Sequence, residues 1–206
     1  MMKERPILFS GPMVQAILAG RKTQTRRVVG PLGRSGKWPL VNLRLHSDQF
    51  SGAANDPMSW GWPFAEDGAH APLGSWLSWC PYGELGDRLW VRETFCDARQ
   101  AAAARVLYRA DGEAACRWTP GIHMPRALCR LVLDVTDVRV ERLHSISRKD
   151  AAAEGVCWAA EQQPPPKWIT PSHWPELNYI ALWDHINGRG HAAANPWVWV
   201  VEFKRA

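Results

Sequence analysis

The chain has no paired-cysteine motif. Its cysteines, Cys80, Cys96, Cys116, Cys129 and Cys157, are odd in number and no Cys-x-x-Cys occurs. Neither a disulfide framework nor a zinc knuckle is therefore expected. His123 falls between Cys116 and Cys129 at a spacing that suits no common zinc site, so no metal and no cofactor is expected. Reduced thiols point to a cytoplasmic location. No apolar run follows the N-terminal Met-Met-Lys-Glu-Arg-Pro. Neither a signal peptide nor a membrane span is expected, and no membrane partner. There is also no acidic metal cluster, so a nuclease on this chain would have to work without metal. No internal repeat is present.

What is present is a chain of 206 residues with 46% hydrophobic and 22% charged residues. It reads as one globular domain, 1–206, able to bury a core without staples. The formal charge of +5 and a pI near 9.1 suit a phosphate-bearing partner without requiring one. Thirteen tryptophans are unusual for this length. Many, including Trp38, Trp60, Trp62, Trp76, Trp79, Trp118, Trp168 and Trp174, sit in Pro/Gly-rich stretches. Tryptophan can stack on bases, but it is also the densest cover for a small core, and that accounts for most of them.

Along the chain, Ser10-Gly11-Pro12 opens a short helix that Gly20 can end in the left-handed conformation. Residues 23–29 read as extended. Residues 31–82 show no sustained period and read as an irregular Trp/Pro/Gly-rich insertion, a lid or an interaction surface that could mediate a homodimer. After the Gly86-Asp87 turn, residues 88–95 and 106–108 read as strands. Residues 128–143 read as one long strand whose apolar phase slips by one after Thr136-Asp137, the mark of a bulge or barrel corner. Ser147 and Asp150 resemble a capping box opening a helix to Glu154, closed by Gly155. Residues 161–175 read as a Pro-rich loop, 176–187 as a helix with Leu177, Ile180, Trp183 and Asp184 on one side, and 197–203 as a last strand. The expected class is α+β, with a small β-barrel at its centre and short flanking helices.

The segment Gly20-Arg21-Lys22-Thr23-Gln24-Thr25-Arg26-Arg27 carries the most chemistry. In a strand, positions 23, 25 and 27 share one face and 24 and 26 the other. Thr25 and Arg27 would then project together, with Lys22 at the strand mouth. A hydroxyl beside a partly desolvated amine makes a nucleophile and base; a solvated basic turn is the alternative. Arg26, on the opposite face, would contact phosphate or solvent.

The same segment resembles the G-x-K-x-x-x-x-R signature of the ASCH superfamily, whose fold is a PUA-like β-barrel. Ile17-Leu18-Ala19 before it is similar to the usual context. So is Gly86-Asp87-Arg88-Leu89-Trp90-Val91 to the family's G-D-x-L-x-V strand, and Ala153-Glu154-Gly155 and Val200-Val201-Glu202-Phe203-Lys204 follow in family order. Ile122-His123-Met124-Pro125-Arg126 resembles a block of the longer phage and prophage members. One branch of the superfamily comprises small bacterial amidohydrolases that remove the acyl group from N4-acetylcytidine with a Lys, a Thr and a Glu. The resemblance implies Lys22, Thr25 and Glu154 as catalytic residues and Arg27 as the residue closing the motif. The partner implied is a modified cytidine nucleoside or RNA. Further candidates for substrate contact are Arg26, Thr23, Trp90, Glu93, Tyr108 and His123. Glu93 would otherwise pair with Arg92 or another base, Tyr108 would pack in the core, and His123 would bond to backbone. The alternative function is a non-catalytic RNA-binding module, or a metal-independent ribonuclease.

Overall fold

A computed structural model describes residues 2–29, 80–99, 105–114, 117–156 and 174–206. The expected insertion and the Pro-rich loop lie almost wholly outside these residues, as do Cys116, Cys157 and most of the loop tryptophans.

The chain opens with a strand, β1 (Glu4–Leu8), followed by the helix α1 (Gly11–Leu18) and the strand β2 (Gln24–Val28). β1 has no counterpart in the sequence reading, because Ile7 is its one buried residue and Pro6 reads as a breaker. Pro is tolerated on an edge strand, and β1 is one. Ser10 precedes α1 in an extended conformation but makes no side-chain cap. Pro12, in the first turn, removes one of the two N–H groups that a cap could accept from. At the far end Gly20 adopts φ +70°, and the Ala16 carbonyl accepts from both Arg21 and Lys22 N–H at 2.8 and 3.1 Å. The helix end thus hands the chain to β2 with Lys22 fixed at the junction.

β3 (Arg88–Arg92), β6 (Val132–Arg142) and β7 (Trp197–Arg205) complete a five-stranded sheet of order β1-β3-β6-β7-β2. Only β1 and β3 run parallel. β4 (Phe95–Asp97) and β5 (Val106–Tyr108) form a separate hairpin. The continuous strand expected over 88–95 is therefore two, interrupted where Glu93 turns its side chain inward at 1% exposure. Likewise 126–128 is a single 3-10 turn, and extended structure starts only at Val132.

The expected bulge is present. The β6–β7 register shifts between Val135 and Asp137. Before it, Leu131, Leu133 and Val135 face the main core; after it, Val138 and Val140 do. That core lies between one face of the sheet and α1, with Ile7, Phe9, Val14, Ile17, Leu89, Val91, Val201 and Phe203. A second core covers the other face of β6 and β7, where Leu143, Val198 and Val200 meet two more helices. These are α2 (Arg148–Ala153) and α3 (Pro175–Asn187). The capping box opening α2 is as expected: Ser147 Oγ accepts from Asp150 N–H, and the Asp150 carboxylate accepts from Ser147 N–H. α3 turns differently. Its buried residues are Asn178, Tyr179 and Trp183, while Leu177 is 59% exposed. Asp184 accepts the Gly190 and Ala192 N–H groups at 3.2 and 2.7 Å, bracing the loop that follows.

The architecture is α+β, and the described strands do not close into a barrel. One contact nevertheless spans its two edges: Arg27 on β2 donates to the Leu8 carbonyl at the end of β1 at 3.0 Å. No helix among the described residues is long and apolar enough to cross a membrane.

Candidate functional site

The site forms where the C-terminus of α2 docks on the start of β2. Thr23 N–H donates to Ala153 O at 2.8 Å, and Lys22 and Glu154 form a one-residue antiparallel bridge. Glu154 caps α2 in a helical conformation, and Gly155 follows with φ +83°. A Cβ at Gly155 would lie 3.1 Å from Lys22 Cβ and 3.2 Å from Ala16 Cβ. A glycine is needed both for the left-handed turn and for this close approach.

Lys22 is 3% exposed and all three of its N–H donors are taken. They go to Gln24 O at 2.7 Å, Glu154 O at 3.0 Å and Glu154 Oε2 at 2.7 Å. Burial pushes the ammonium below its usual pKa; Glu154 opposes this, and Arg27 and Arg26 add to it. The other oxygen, Glu154 Oε1, faces Arg26 Nη1 at 3.5 Å. Tyr179 comes from α3 on the same side. Burial, then the Glu154 carboxylate facing it, hold its hydroxyl well above the usual phenol range.

A layer of charge lies behind this pair. The Arg26 side chain, with no exposure, also reaches Glu141 at 3.1 Å and Asp150 at 3.6 Å. Its guanidinium stands 5.9 Å from the Tyr179 ring. Arg139 holds Asp150 at 3.1 Å and also binds Glu141 and Glu202. The Gln24 amide satisfies its neighbours with its oxygen toward Arg26 and its nitrogen donating to Asp150 at 3.0 Å.

The expected residues divide clearly. Lys22 and Glu154, far apart in sequence, are in contact. Thr25 is buried at 1% but stands opposite Val201, on the main-core face of β2. No Lys22 donor is left for it. Arg27 shares that face, as the alternation requires, and lies 5.3 Å from the Phe9 ring. Arg26, expected to meet phosphate or solvent, is instead the buried partner of three carboxylates. Thr23 is exposed and contributes through its backbone, accepting from Phe203 N–H at 2.8 Å.

The remaining candidates bond elsewhere. Glu93 receives two bonds from Arg130, at 2.9 and 3.1 Å, rather than pairing with Arg92. Tyr108 donates to Leu128 O at 2.9 Å and packs under Arg130 at 4.0 Å. Trp90 is half-buried with Arg92 5.5 Å from its ring, and His123 is exposed in a 3-10 turn. Among the described residues no group of His, Cys, Asp and Glu is arranged to hold a metal ion.

Local reading of the sequence named Arg26 only as a contact for phosphate or solvent and Asp150 only as a capping residue, and it missed Glu141, Arg139 and Tyr179. One signal existed: Asp150 and Glu154 are four apart and so share a face of a short helix. No family model, curated protein or solved structure matches the chain.

Proposed function

We propose that the protein is an amidohydrolase that removes the acyl group from N4-acylated cytidine or a related modified nucleoside. Its scaffold would be ASCH-type, with the five strands and α1 forming an open version of a PUA-like barrel. The observation that carries this reading is the buried pair of Lys22 and Glu154, in contact across 132 positions of sequence. A lysine whose charge is disfavoured by burial, held against a carboxylate, can pass a proton in either direction.

In this reading Glu154 takes a proton from water, the water oxygen bonds to the acyl carbon, and Lys22, turning one donor away from the Gln24 carbonyl, stabilises the oxyanion. The C–N bond then breaks and the proton passes to the departing ring amine. Water is favoured over the Thr25 hydroxyl as nucleophile, because Thr25 stands opposite Val201 on the face of β2 away from Arg26, the second cation on Glu154. Trp90, Glu93, Tyr108 and His123 have no part in this mechanism.

RNA binding receives less support. A continuous basic groove from Arg21 to Arg27 needs exposed cations, and Lys22 and Arg26 are 3% and 2% exposed.

Incubation with N4-acetylcytidine should release cytidine. Lys22→Ala and Glu154→Gln should each lower kcat by about two orders of magnitude or more, whereas Thr25→Val should retain turnover. Absence of turnover across several N4-acyl cytidines would sink the proposal. Loss of turnover in Thr25→Val alone would return the nucleophile to Thr25.

A further inference from the structure

Arg26 lies on the face of β2 opposite the closing Arg27 of the signature, yet it is the more deeply buried arginine. Its side chain meets carboxylates from two elements: Glu141 on β6, and Asp150 and Glu154 on α2. Asp150 and Glu154 lie one helical turn apart, so one guanidinium spans the N-terminal turn and the C-cap of α2. Asp150 is in turn fixed by the Ser147 capping box and by Arg139. The two oxygens of Glu154 are divided between two cations, Oε2 with Lys22 and Oε1 with Arg26.

We infer that Arg26 is a positioning residue for the Lys22–Glu154 pair, holding Glu154 Oε1 so that only Oε2 serves Lys22. Two consequences run in one direction. Attraction that Glu154 gives to Arg26 is withheld from Lys22, and the Arg26 charge itself repels the ammonium. Both keep Lys22 nearer its neutral form. Glu141 and Asp150 oppose this by neutralising Arg26. The charged and titratable groups facing Lys22 are Glu154, Arg26 and Arg27; those facing Glu154 are Lys22, Arg26 and Tyr179. Those facing Arg26 are Glu141, Asp150, Glu154 and Tyr179, with Arg139 and Glu202 one layer further out.

The importance of the inference rests on the reading of Lys22 and Glu154 as the reacting pair, but its test needs no substrate. The full chain, isotope-labelled at lysine, is titrated by NMR, with the Lys22 signal assigned by its loss in Lys22→Met. In Arg26→Gln the Lys22 midpoint should rise by about one pH unit. Glu141→Gln, an isosteric change at a side chain 24% exposed, should lower it. Arg26→Lys, which keeps the charge but not the fork, should fall between wild type and Arg26→Gln. A bare charge effect of Arg26 leaves the Arg26→Lys midpoint at the wild-type value, whereas loss of the hold on Glu154 Oε1 moves it. An unchanged Lys22 midpoint in folded Arg26→Gln overturns the inference. Should Arg26→Gln fail to fold, Glu141→Gln decides: a lowered midpoint supports the inference and an unchanged one overturns it. Hydrolysis of N4-acetylcytidine is assayed alongside. Shifted titrations with no turnover in the wild type leave the positioning role standing and reject the proposed activity. Turnover with unshifted titrations does the reverse.

Discussion

Lys22 directs two of its three N–H donors to a single residue, Glu154, one to the carboxylate and one to the main-chain carbonyl. The side-chain ion pair is thus locked to the backbone bridge that docks α2 on β2. Separating two buried charges is costly because each partner left behind remains desolvated, whereas removing both together is cheaper. Lys22→Met and Glu154→Gln should each lower unfolding free energy by about 3–5 kcal/mol. The double variant should cost clearly less than the sum. Urea unfolding of the four proteins measures this; additive costs would mean that the pair does not couple.

Lys22 also sets a pH dependence. Its folded pKa lies below the usual 10.5, with burial as the main cause. The unfolded chain therefore binds more protons than the folded one between the two values, and stability should rise with pH through that window. This is opposite to a lysine that gains a partner at the surface. Tyr82, Tyr108 and Tyr179 have raised pKa values and pull stability down above about pH 10. The useful quantity is the difference between wild type and Lys22→Met, followed upward from neutral pH. A difference that stays flat would contradict the lowered pKa.

Gly155 is the position where the backbone and the site constrain each other. Gly155→Ala places a side chain at φ +83° and within 3.1 Å of Lys22 Cβ. The left-handed conformation alone costs about 1–2 kcal/mol, and the contact requires Lys22 or α1 to give way. Thermal unfolding should show at least that loss. If the proposed activity holds, kcat should fall more than a stability loss of this size explains. An unchanged melting temperature would show that the α2 terminus can move off β2.

Asp87 offers a test away from the site. It is 3% exposed, and it accepts Lys3 N–H at 2.8 Å and Glu84 N–H at 3.3 Å, with Arg5 at 3.7 Å. Burial acts to raise its pKa, but these bonds and cations outweigh burial and bring it below 3.8. Its stabilisation is present above the unfolded pKa and is lost as pH falls through the folded one. Asp87→Asn should cost about 1–3 kcal/mol at neutral pH and reduce the acid-limb slope below pH 4. Equal acid limbs in the two proteins would assign the acid sensitivity elsewhere.

The sequence made the local chemistry of the chain legible and its three-dimensional convergence much less so. Ser147 and Asp150 announce the start of α2, and the slip after Thr136 announces the bulge, because both depend on neighbours within a few residues. The alternation that puts Thr25 and Arg27 on one face holds as well. What could not be read was which face meets Glu154, since that depends on where α2 docks. Arg26 looked like a cation for phosphate or solvent because nothing near it in sequence is acidic; its partners come from β6 and α2. Tyr179 was hidden for a related reason: the weakly amphipathic α3 buries Asn178 and Tyr179 and leaves Leu177 out.

The bulge at Thr136 decides which half of β6 belongs to which compartment. Ahead of it the odd-numbered residues enter the main core; beyond it the even-numbered ones do, which turns Arg139 and Glu141 toward Arg26. Thr136 therefore works as a parity bit for the strand. Pairing the strand straight through, with Thr136 given a partner of its own, would send Arg139 and Glu141 into the apolar core and Val138 and Val140 among the carboxylates. Deleting Thr136 itself would keep the parity, because Asp137 already pairs with Glu202 next to Val135 and Phe203. Between Asp134 and Val138, then, the chain should tolerate the loss of Thr136 alone far better than the loss of two residues.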